Sequence, residues 1–182
     1  MSTSLFDISG KNAIVTGGNG GIGLAIAEGF AANGVNLLII GRNEEKNSLA
    51  ISRLEKFGTN IFSLAADISQ ESEVKRVIDY ANTGLNSVDI LVNNAGRGDT
   101  MPFVDLDRDY FNAYVGLNLW APLRLCQHAY EHLAQSSDPS VVMIGSVDSE
   151  RPSPGSVVYG ATKGALSAAT VALSKEWMAA GI

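Results

Sequence analysis

Short runs of apolar residues alternate along the chain with longer segments in which apolar residues recur every three to four positions. The short runs predict five strands, at residues 13–16, 35–40, 61–65, 88–92 and 141–144. Each run is nearly continuous in apolar residues, which is typical of strands buried on both faces of a parallel sheet. The pattern therefore predicts an α/β fold with a doubly wound parallel sheet and right-handed crossovers.

The longer segments predict helices at residues 21–33, from Asn43 onward, after Ser69, and at about 107–135 and 156–180. Asn43 and Ser69 are residue types that cap helices. Acidic residues follow each of them in the first turn, where the helix dipole favours anions. With 182 residues, no repeats and no linker-like stretch, we expect a single domain over residues 1–182.

Composition and charge narrow the class of protein. With 46% apolar and 18% charged residues, the chain is too hydrophobic and too weakly charged to be disordered. Its net charge of −6 argues against nucleic acid or an anionic membrane as the main partner. A single cysteine, no spanning apolar run and no signal-peptide pattern together predict a cytoplasmic protein. No metal site is predicted, because no Cys or third His supports the pair His128 and His132.

A glycine-rich segment, TGGNGGIG at residues 16–23, follows the first predicted strand and opens the first predicted helix. Gly17 allows a tight turn, Gly21 lets the backbone approach a pyrophosphate, and Gly23 lets the helix pack closely on the sheet. The helix N-terminus adds free N–H groups and a positive dipole for phosphates. A glycine-rich turn without a ligand is the alternative, but the strand–turn–helix context favours a bound dinucleotide.

The end of the second predicted strand indicates which dinucleotide. A carboxylate that would hold a ribose 2′-hydroxyl is expected about 20 residues after the glycines. The chain has Gly41 at that place and Arg42 beside it. A guanidinium suits a 2′-phosphate, and the missing carboxylate removes a repulsion. The sequence therefore favours NADP(H), with NAD(H) possible and a solvated surface arginine as the alternative interpretation of Arg42.

Tyr159 and Lys163 lie four residues apart on a predicted helix, so both side chains project from one face. In general, a nearby ammonium stabilises a phenolate and helps a tyrosine to exchange a proton with a substrate oxygen at working pH. The pair alone is a weak signal, because a solvated tyrosine and lysine have the same spacing by chance.

Three further features make the pair specific. Ser146 ends the fifth predicted strand, NNAG (residues 93–96) follows the fourth, and Asn118 lies in the long helix between them. In this order and spacing, TGGNGGIG, NNAG, Asn118, Ser146 and YGATK (residues 159–163) resemble the short-chain dehydrogenase/reductase family over about residues 7–182. The resemblance implies a three-layer, Rossmann-type sheet with five strands in the order 3-2-1-4-5 and without the family's last strands.

The resemblance also implies a role for each matching residue. Tyr159 would be the acid/base, and Ser146 would hydrogen-bond the substrate oxygen. Lys163 would bind the nicotinamide ribose and stabilise the tyrosinate, and Asn118 would anchor a water in the proton relay. The implied substrate-binding residues are Ser146 and Tyr159. The implied cofactor-binding residues are Gly17, Asn19, Gly21, Ile22, Gly23, Arg42, Asn43, Asp67, Ile68, Asn94, Ala95, Gly96, Tyr159 and Lys163.

Pro122 adds a physical argument for the role of Asn118. It lies four residues later in the same predicted helix. Proline has no N–H to donate to the carbonyl four residues earlier, and its ring pushes that carbonyl aside. We therefore expect the Asn118 carbonyl to be free to hold a water; a kink without catalytic consequence is the alternative.

The leading hypothesis is an NADP(H)-dependent oxidoreductase that interconverts a secondary alcohol and a ketone or aldehyde by hydride transfer. A non-catalytic nucleotide-binding or oligomerising module is the main alternative, and an epimerase or dehydratase on nucleotide sugars is less favoured. The chain ends about where the family's sixth strand begins, so we expect a fragment whose fifth strand is an exposed apolar edge. A polar loop at residues 149–153 suggests a hydroxylated or acidic small-molecule substrate.

Apolar residues in the long predicted helix suggest self-association. The resemblance implies a homodimer or homotetramer, and neither nucleic acid nor membrane is expected as a partner. The residues proposed for the contact, which packing into the core would equally explain, are Leu117, Leu119, Trp120, Leu123 and Leu125.

Overall fold

The computed structural model describes residues 6–182, and its central element is a sheet of five parallel strands. The strands are β1 (Asn12–Thr16), β2 (Asn36–Gly41), β3 (Ile61–Ala65), β4 (Ile90–Asn93) and β5 (Ser140–Met143). Their order across the sheet is β3-β2-β1-β4-β5, with every neighbouring pair parallel. The predicted fold class and strand order are confirmed.

Helices cover both faces of this sheet. They are α1 (Gly21–Ala32), α2 (Glu44–Leu54), α3 (Glu71–Leu85), α4 (Arg108–Val115), α5 (Ala121–Leu133) and α6 (Val157–Glu176). Buried residues of α1 and α2 pack on one face, and those of α3 and α5 pack on the other. The central strands β1, β2 and β4 are almost fully buried, and each such Leu, Ile or Val side chain stabilises the fold by about 1.5–3 kcal/mol.

The parallel register places the carboxyl ends of the strands at one edge of the sheet. Thr16 of β1 lies beside Ile40 of β2, and Asn93 of β4 lies beside Met143 of β5. The polar segments that follow β1, β2, β4 and β5 therefore emerge close together. This edge of an open α/β sheet, at the point where the strand order reverses around β1, is where ligands bind.

The predicted element limits hold for the strands to within two residues, but three helix predictions need correction. Ser69 is not a helix cap, because its N–H and hydroxyl both donate to Asp67 Oδ1 and α3 begins at Glu71. The helix predicted at 107–135 is two helices, joined by a π-helical turn at Gly116–Trp120. The last helix ends at Glu176, and a 3-10 turn (Met178–Ala180) follows it.

Among the residues that the structure describes, β5 forms one edge of the sheet and pairs with β4 alone. Val142 is exposed there, as the sequence predicted. The side chains that point to the other face, Val141 and Met143, are half-buried against Trp177 and Ile182. The edge is therefore only partly exposed. Within residues 6–182, no helix combines the length and apolarity that crossing a bilayer requires.

Candidate active site

The glycine-rich segment forms a tight turn directly after β1. The Gly17 N–H donates to the Ile40 carbonyl oxygen over 2.7 Å, and Gly17 and Gly21 have φ of +66° and +51°. These left-handed conformations favour glycine because other residues carry a Cβ that clashes there. A Cβ at Gly23 would overlap both the Gly17 carbonyl oxygen and the Asn94 side chain. Gly23 thus lets α1 approach the turn and the segment after β4.

Thr16 joins this turn to the segment after β4. Its hydroxyl oxygen accepts from the backbone N–H groups of Asn94 (2.9 Å) and Ala95 (3.0 Å) and donates to the Val92 carbonyl oxygen. The Asn94 side chain donates back to the Thr16 carbonyl oxygen over 2.8 Å. No role was predicted for Thr16 from the sequence, although its place at the head of the glycine motif was a usable signal.

Asn118 joins the segment after β4 to the helical layer. Its Oδ1 accepts from the Arg97 N–H and its Nδ2 donates to the Arg97 carbonyl oxygen, both over 2.9 Å. Nδ2 also lies 3.5 Å from the Thr162 hydroxyl, one residue before Lys163. Asn118 occupies the π-helical turn, and Pro122 has no N–H to donate to its carbonyl. The helix is thus distorted where the sequence predicted it.

A cleft opens at the carboxyl edge between the glycine turn, the end of β2 and the segments after β3 and β4. It collects seven of the fourteen residues predicted to bind a cofactor: Gly17, Asn19, Arg42, Asp67, Ile68, Ala95 and Gly96. The rest of the lining is formed by Ile40, Gly41, Ala66 and Leu117. The other seven predicted residues lie outside this lining: Gly21, Ile22, Gly23, Asn43, Asn94, Tyr159 and Lys163. Of these, Ile22 is largely exposed on α1, and the Asn43 side chain caps α2 by accepting from the Lys46 N–H.

Tyr159 lies in the first turn of α6, near the same segment that ends the cleft. A Cβ at Gly98, two residues after Gly96, would lie 3.8 Å from the Tyr159 ring. On another side, the buried Tyr114 ring meets Tyr159 edge-on, with the centroids 6.4 Å apart. Tyr159 itself is half-buried. The phenol and the glycine turn therefore share the carboxyl edge of the sheet.

Lys163 is buried beneath this edge. Its Nζ donates to the Ile144 carbonyl oxygen, just after β5, over 2.6 Å, and the side chain is 5% exposed. Burial lowers the pKa of the Lys163 ammonium, because the charged form loses its hydration. The lysine thus ties α6 to the end of β5.

Ser146 begins the loop that leads from β5 to α6. Its hydroxyl oxygen accepts from the Asp148 N–H over 3.1 Å, and its carbonyl oxygen accepts from the Ser149 hydroxyl. The loop packs closely on α6, since a Cβ at Gly160 would lie 2.7 Å from the Asp148 carbonyl oxygen. Ser146 and Tyr159, both within the described residues, make no direct hydrogen bond; the loop meets the helix through the close approach of Asp148 to Gly160.

A charged and aromatic cluster that sequence reasoning missed borders Tyr159. Arg97 pairs with Asp99, and its guanidinium lies 5.2 Å from the Tyr110 ring centre and 4.7 Å from that of Tyr114. Both phenols donate to the Asp99 carbonyl oxygen. The Arg97 guanidinium lowers the pKa of Asp99 to about 2, and burial raises the pKa of Tyr114. The cluster packs the segment after β4 against α4.

Two other features of the site concern metals and thiols. Among residues 6–182, no group of three His, Cys, Asp or Glu side chains is arranged to hold a metal ion. Cys126 is buried on α5 beside Asn93, and burial raises the pKa of its thiol to about 12. A thiol that stays protonated is a poor nucleophile, which favours a packing role for Cys126.

Residues 11–182 match the family model described as short chain dehydrogenase. The chain belongs to the short chain dehydrogenase family. It is 30% identical over 97% of its length to the 2-dehydro-3-deoxy-D-gluconate 5-dehydrogenase of Formosa agariphila, of which it covers 67%.

Solved structures of the family are also similar to this chain over nearly its whole length. The L-sorbose reductase of Gluconobacter frateurii, complexed with NADPH and L-sorbose, has a TM-score of 0.93 and 30% identity, over 96% of this chain and 67% of that one. The 3-ketoacyl-(acyl-carrier-protein) reductase of Brucella melitensis, complexed with NADH, has a TM-score of 0.90 and 28% identity, over 96% and 73%. The chain thus spans about two thirds to three quarters of the length of these relatives.

Proposed function

We propose that this chain carries the cofactor-binding and proton-transfer machinery of an NADP(H)-dependent oxidoreductase that interconverts a secondary alcohol and a ketone or aldehyde. The observation that carries the proposal is the placement of Tyr159. It stands beside the segment after β4, which Thr16 ties to the glycine turn and Asn118 ties to α6. A dinucleotide that starts at the turn and runs along this segment would end near the phenol.

The residues of the cleft fit a dinucleotide. The turn at Gly17 and Gly21 leaves room for a pyrophosphate against the N-terminus of α1, where free N–H groups and the helix dipole favour phosphate. Asp67 and Ile68 line the part of the cleft that would hold the adenine, and Gly96 lines the path toward Tyr159. Every one of these groups is contributed by a residue that follows a strand, as the fold requires.

Arg42 favours NADP(H) over NAD(H). Its guanidinium is exposed at the rim of the cleft, and the neighbouring Gly41 brings no carboxylate. A guanidinium binds a phosphate by charge-assisted, often bidentate hydrogen bonds. The relatives crystallised with NADPH and with NADH show that the family uses both cofactors, so Arg42 is what supports the choice here.

Bound nicotinamide would supply or accept the hydride. In the direction of carbonyl reduction, the Tyr159 hydroxyl gives its proton to the carbonyl oxygen, and oxidation reverses this step. The Ser146 hydroxyl donates a hydrogen bond to the same oxygen and orients it. Lys163 holds a positive charge one helical turn from Tyr159 and stabilises the phenolate. The Asn118 carbonyl, with no N–H of Pro122 facing it, anchors a water through which Tyr159 regains its proton.

The substrate is proposed to be a polyhydroxylated small molecule. The polar loop at 147–155 packs on α6 beside Tyr159 and pairs with the segment after β4 through the Met101 N–H and the Gly155 carbonyl oxygen (3.0 Å). Hydroxyl-bearing substrates would suit such a neighbour of Tyr159, because it offers hydrogen-bond partners. The relatives named for gluconate derivatives and for L-sorbose act on this class of molecule.

NADPH titration combined with a turnover assay tests the proposal. The chain should bind NADPH and oxidise it in the presence of a polyol-derived ketone. Tyr159→Phe should abolish turnover and leave the Kd for NADPH nearly unchanged, because the ring is kept and only the hydroxyl is lost. Binding without turnover in the unaltered chain would favour the non-catalytic nucleotide-binding module instead. Unchanged turnover in Tyr159→Phe would refute the assignment of the acid/base.

We also propose that the outer surface of α5 and α6 pairs with another copy of the chain, as a homodimer or homotetramer. Of the residues predicted for this contact, Leu125 is fully buried and Leu117 packs on the core, so neither is available. Trp120 is exposed, and Leu123 lines a groove with Tyr130, Leu173 and Trp177. Sedimentation of the chain against Trp120→Ser tests this, since loss of an exposed apolar anchor should favour the monomer.

A further inference from the structure

Two asparagines tie the end of β2 to the phosphate-binding turn. Asn19 Nδ2 donates to Asn47 Oδ1 over 2.7 Å, and Asn47 Nδ2 donates to the Gly41 carbonyl oxygen over 3.0 Å. Asn47 lies in the first turn of α2 and is 2% exposed, so water cannot easily replace these bonds. β2, the glycine turn and α2 therefore share one connected polar unit.

Gly41 is the residue at which this unit meets the rim of the cleft. It ends β2 without a left-handed φ, so its conformation does not call for glycine. Space does. A Cβ built on Gly41 would overlap the Asn19 amide and lie 2.7 Å from Asn47 Oδ1, closer than real Cβ atoms approach such groups. Any side chain at position 41 must therefore displace Asn19.

We propose that Asn19 and Asn47 determine cofactor selectivity by filling the space that a carboxylate at position 41 would need. The inference rests on the proposed dinucleotide function and goes beyond the role of Arg42. An acidic side chain at the end of the second strand holds a ribose 2′-hydroxyl and repels a 2′-phosphate. The asparagine pair keeps that side chain out. Selectivity for the 2′-phosphate therefore rests on the exclusion of a carboxylate as well as on attraction to Arg42.

Changing the cofactor selectivity should require substitutions at both position 41 and position 19. Asn19 lines the cleft at the phosphate end, so a residue that displaces it also disturbs the turn. Gly41→Asp alone should therefore weaken both NADPH and NADH rather than exchange one for the other. Gly41→Asp combined with Asn19→Ser should make room for the carboxylate and bring NADH above NADPH in affinity.

A double-mutant cycle tests the steric coupling without the acidic group. The variants are Gly41→Ala, Asn19→Ser and the two combined, and the measurements are the Kd for NADPH by fluorescence titration and the Tm of the ligand-free protein. Gly41→Ala should weaken NADPH about tenfold, as expected for overpacking by a single methyl group. It should also lower the Tm by roughly 2–8 °C. Adding Asn19→Ser should recover most of both losses, since it removes the overlapping amide.

The outcomes separate this inference from the function on which it rests. Losses that simply add in the cycle, or Gly41→Asp alone giving tight NADH binding, would overturn the role of the asparagines. If the unaltered chain binds NADPH while either result is found, the proposed function stands and only this inference fails. If the unaltered chain binds neither nucleotide, both fail together.

Discussion

The side-chain amide of Asn118 pairs with the backbone of Arg97 at both the N–H and the carbonyl oxygen, over 2.9 Å each. The bond joins residues that lie 21 positions apart in the chain. Asn118 is buried in the turn between α4 and α5, and Arg97 lies in the segment that leads from the cleft to Tyr159. In this structure the Asn118 side chain therefore positions that segment.

Replacing Asn118 should reveal this positioning role in stability. Asn118→Ala leaves the Arg97 N–H and carbonyl oxygen without their partner, which should cost about 2–4 kcal/mol of unfolding free energy. Urea denaturation measures the loss. Asn112→Ala on the exposed face of α4 is the control and should change stability by less than about 0.5 kcal/mol. Equal stability of the two variants would contradict the role given to the pairing.

Gly23 and Gly29 lie in the same helix and make a matched pair. A Cβ at Gly23 meets the Gly17 carbonyl oxygen and Asn94, whereas a Cβ at Gly29 meets nothing within 4 Å. Gly23→Ala should destabilise the protein by about 1–3 kcal/mol through overpacking and abolish dinucleotide binding. Gly29→Ala should stabilise it by about 0.5–1 kcal/mol, because alanine is the better helix former. Thermal unfolding and NADPH titration of both variants give the comparison.

Arg42 should contribute to the affinity for NADPH and not to the affinity for NADH. Arg42→Ala should weaken NADPH about tenfold or more, since a charge-assisted contact to the 2′-phosphate is lost, and leave NADH unchanged. The NADPH affinity of the unaltered chain should also fall more steeply with salt than its NADH affinity. Arg108→Ala, which removes an exposed arginine at the start of α4, is the control. An equal loss for both cofactors would mean that Arg42 acts on the turn rather than on the phosphate.

Lys163 should leave a signature in the pH dependence of stability. Its pKa in the folded protein lies below the ordinary value of 10.5, because burial disfavours the charged form. Below the folded-state pKa, Lys163 is protonated in both the folded and the unfolded state, and the free-energy cost of burying its charge is fully present. Between the folded-state pKa and 10.5 the unfolded state binds more protons, so the free energy of unfolding rises with pH.

The measurement compares variants across that window. The unfolding free energy of the unaltered chain minus that of Lys163→Met should increase as the pH rises toward 10.5. Lys175→Met, at an exposed position of the same helix, serves as the control. A flat difference for Lys163→Met would falsify the assignment of a depressed pKa to this lysine.

Local sequence signals were sufficient for the elements and for the glycine turn. The apolar run at 13–16 forms a strand that is buried on both faces, as is typical of a parallel sheet, and Gly17 and Gly21 are glycines at left-handed positions. The helix limits were less well predicted. Ser69 has the residue type of a cap, but its hydroxyl bonds Asp67 instead, and only the local backbone path decides between the two.

The cross-connections of the site were not predictable in the same way. Four hydrogen bonds of the site each join residues from different elements: Thr16 with Ala95, Asn118 with Arg97, Lys163 with Ile144, and Asn19 with Asn47. No periodicity in the sequence predicts which polar side chain will meet which partner. The sequence by itself determined the alternation of strands and helices and the residue types available for chemistry, because these follow from local burial and backbone preference. The tertiary structure alone decided which side chains a residue at position 41 would meet and how Asn118 is used, because both depend on atoms that come together only when the sheet has formed.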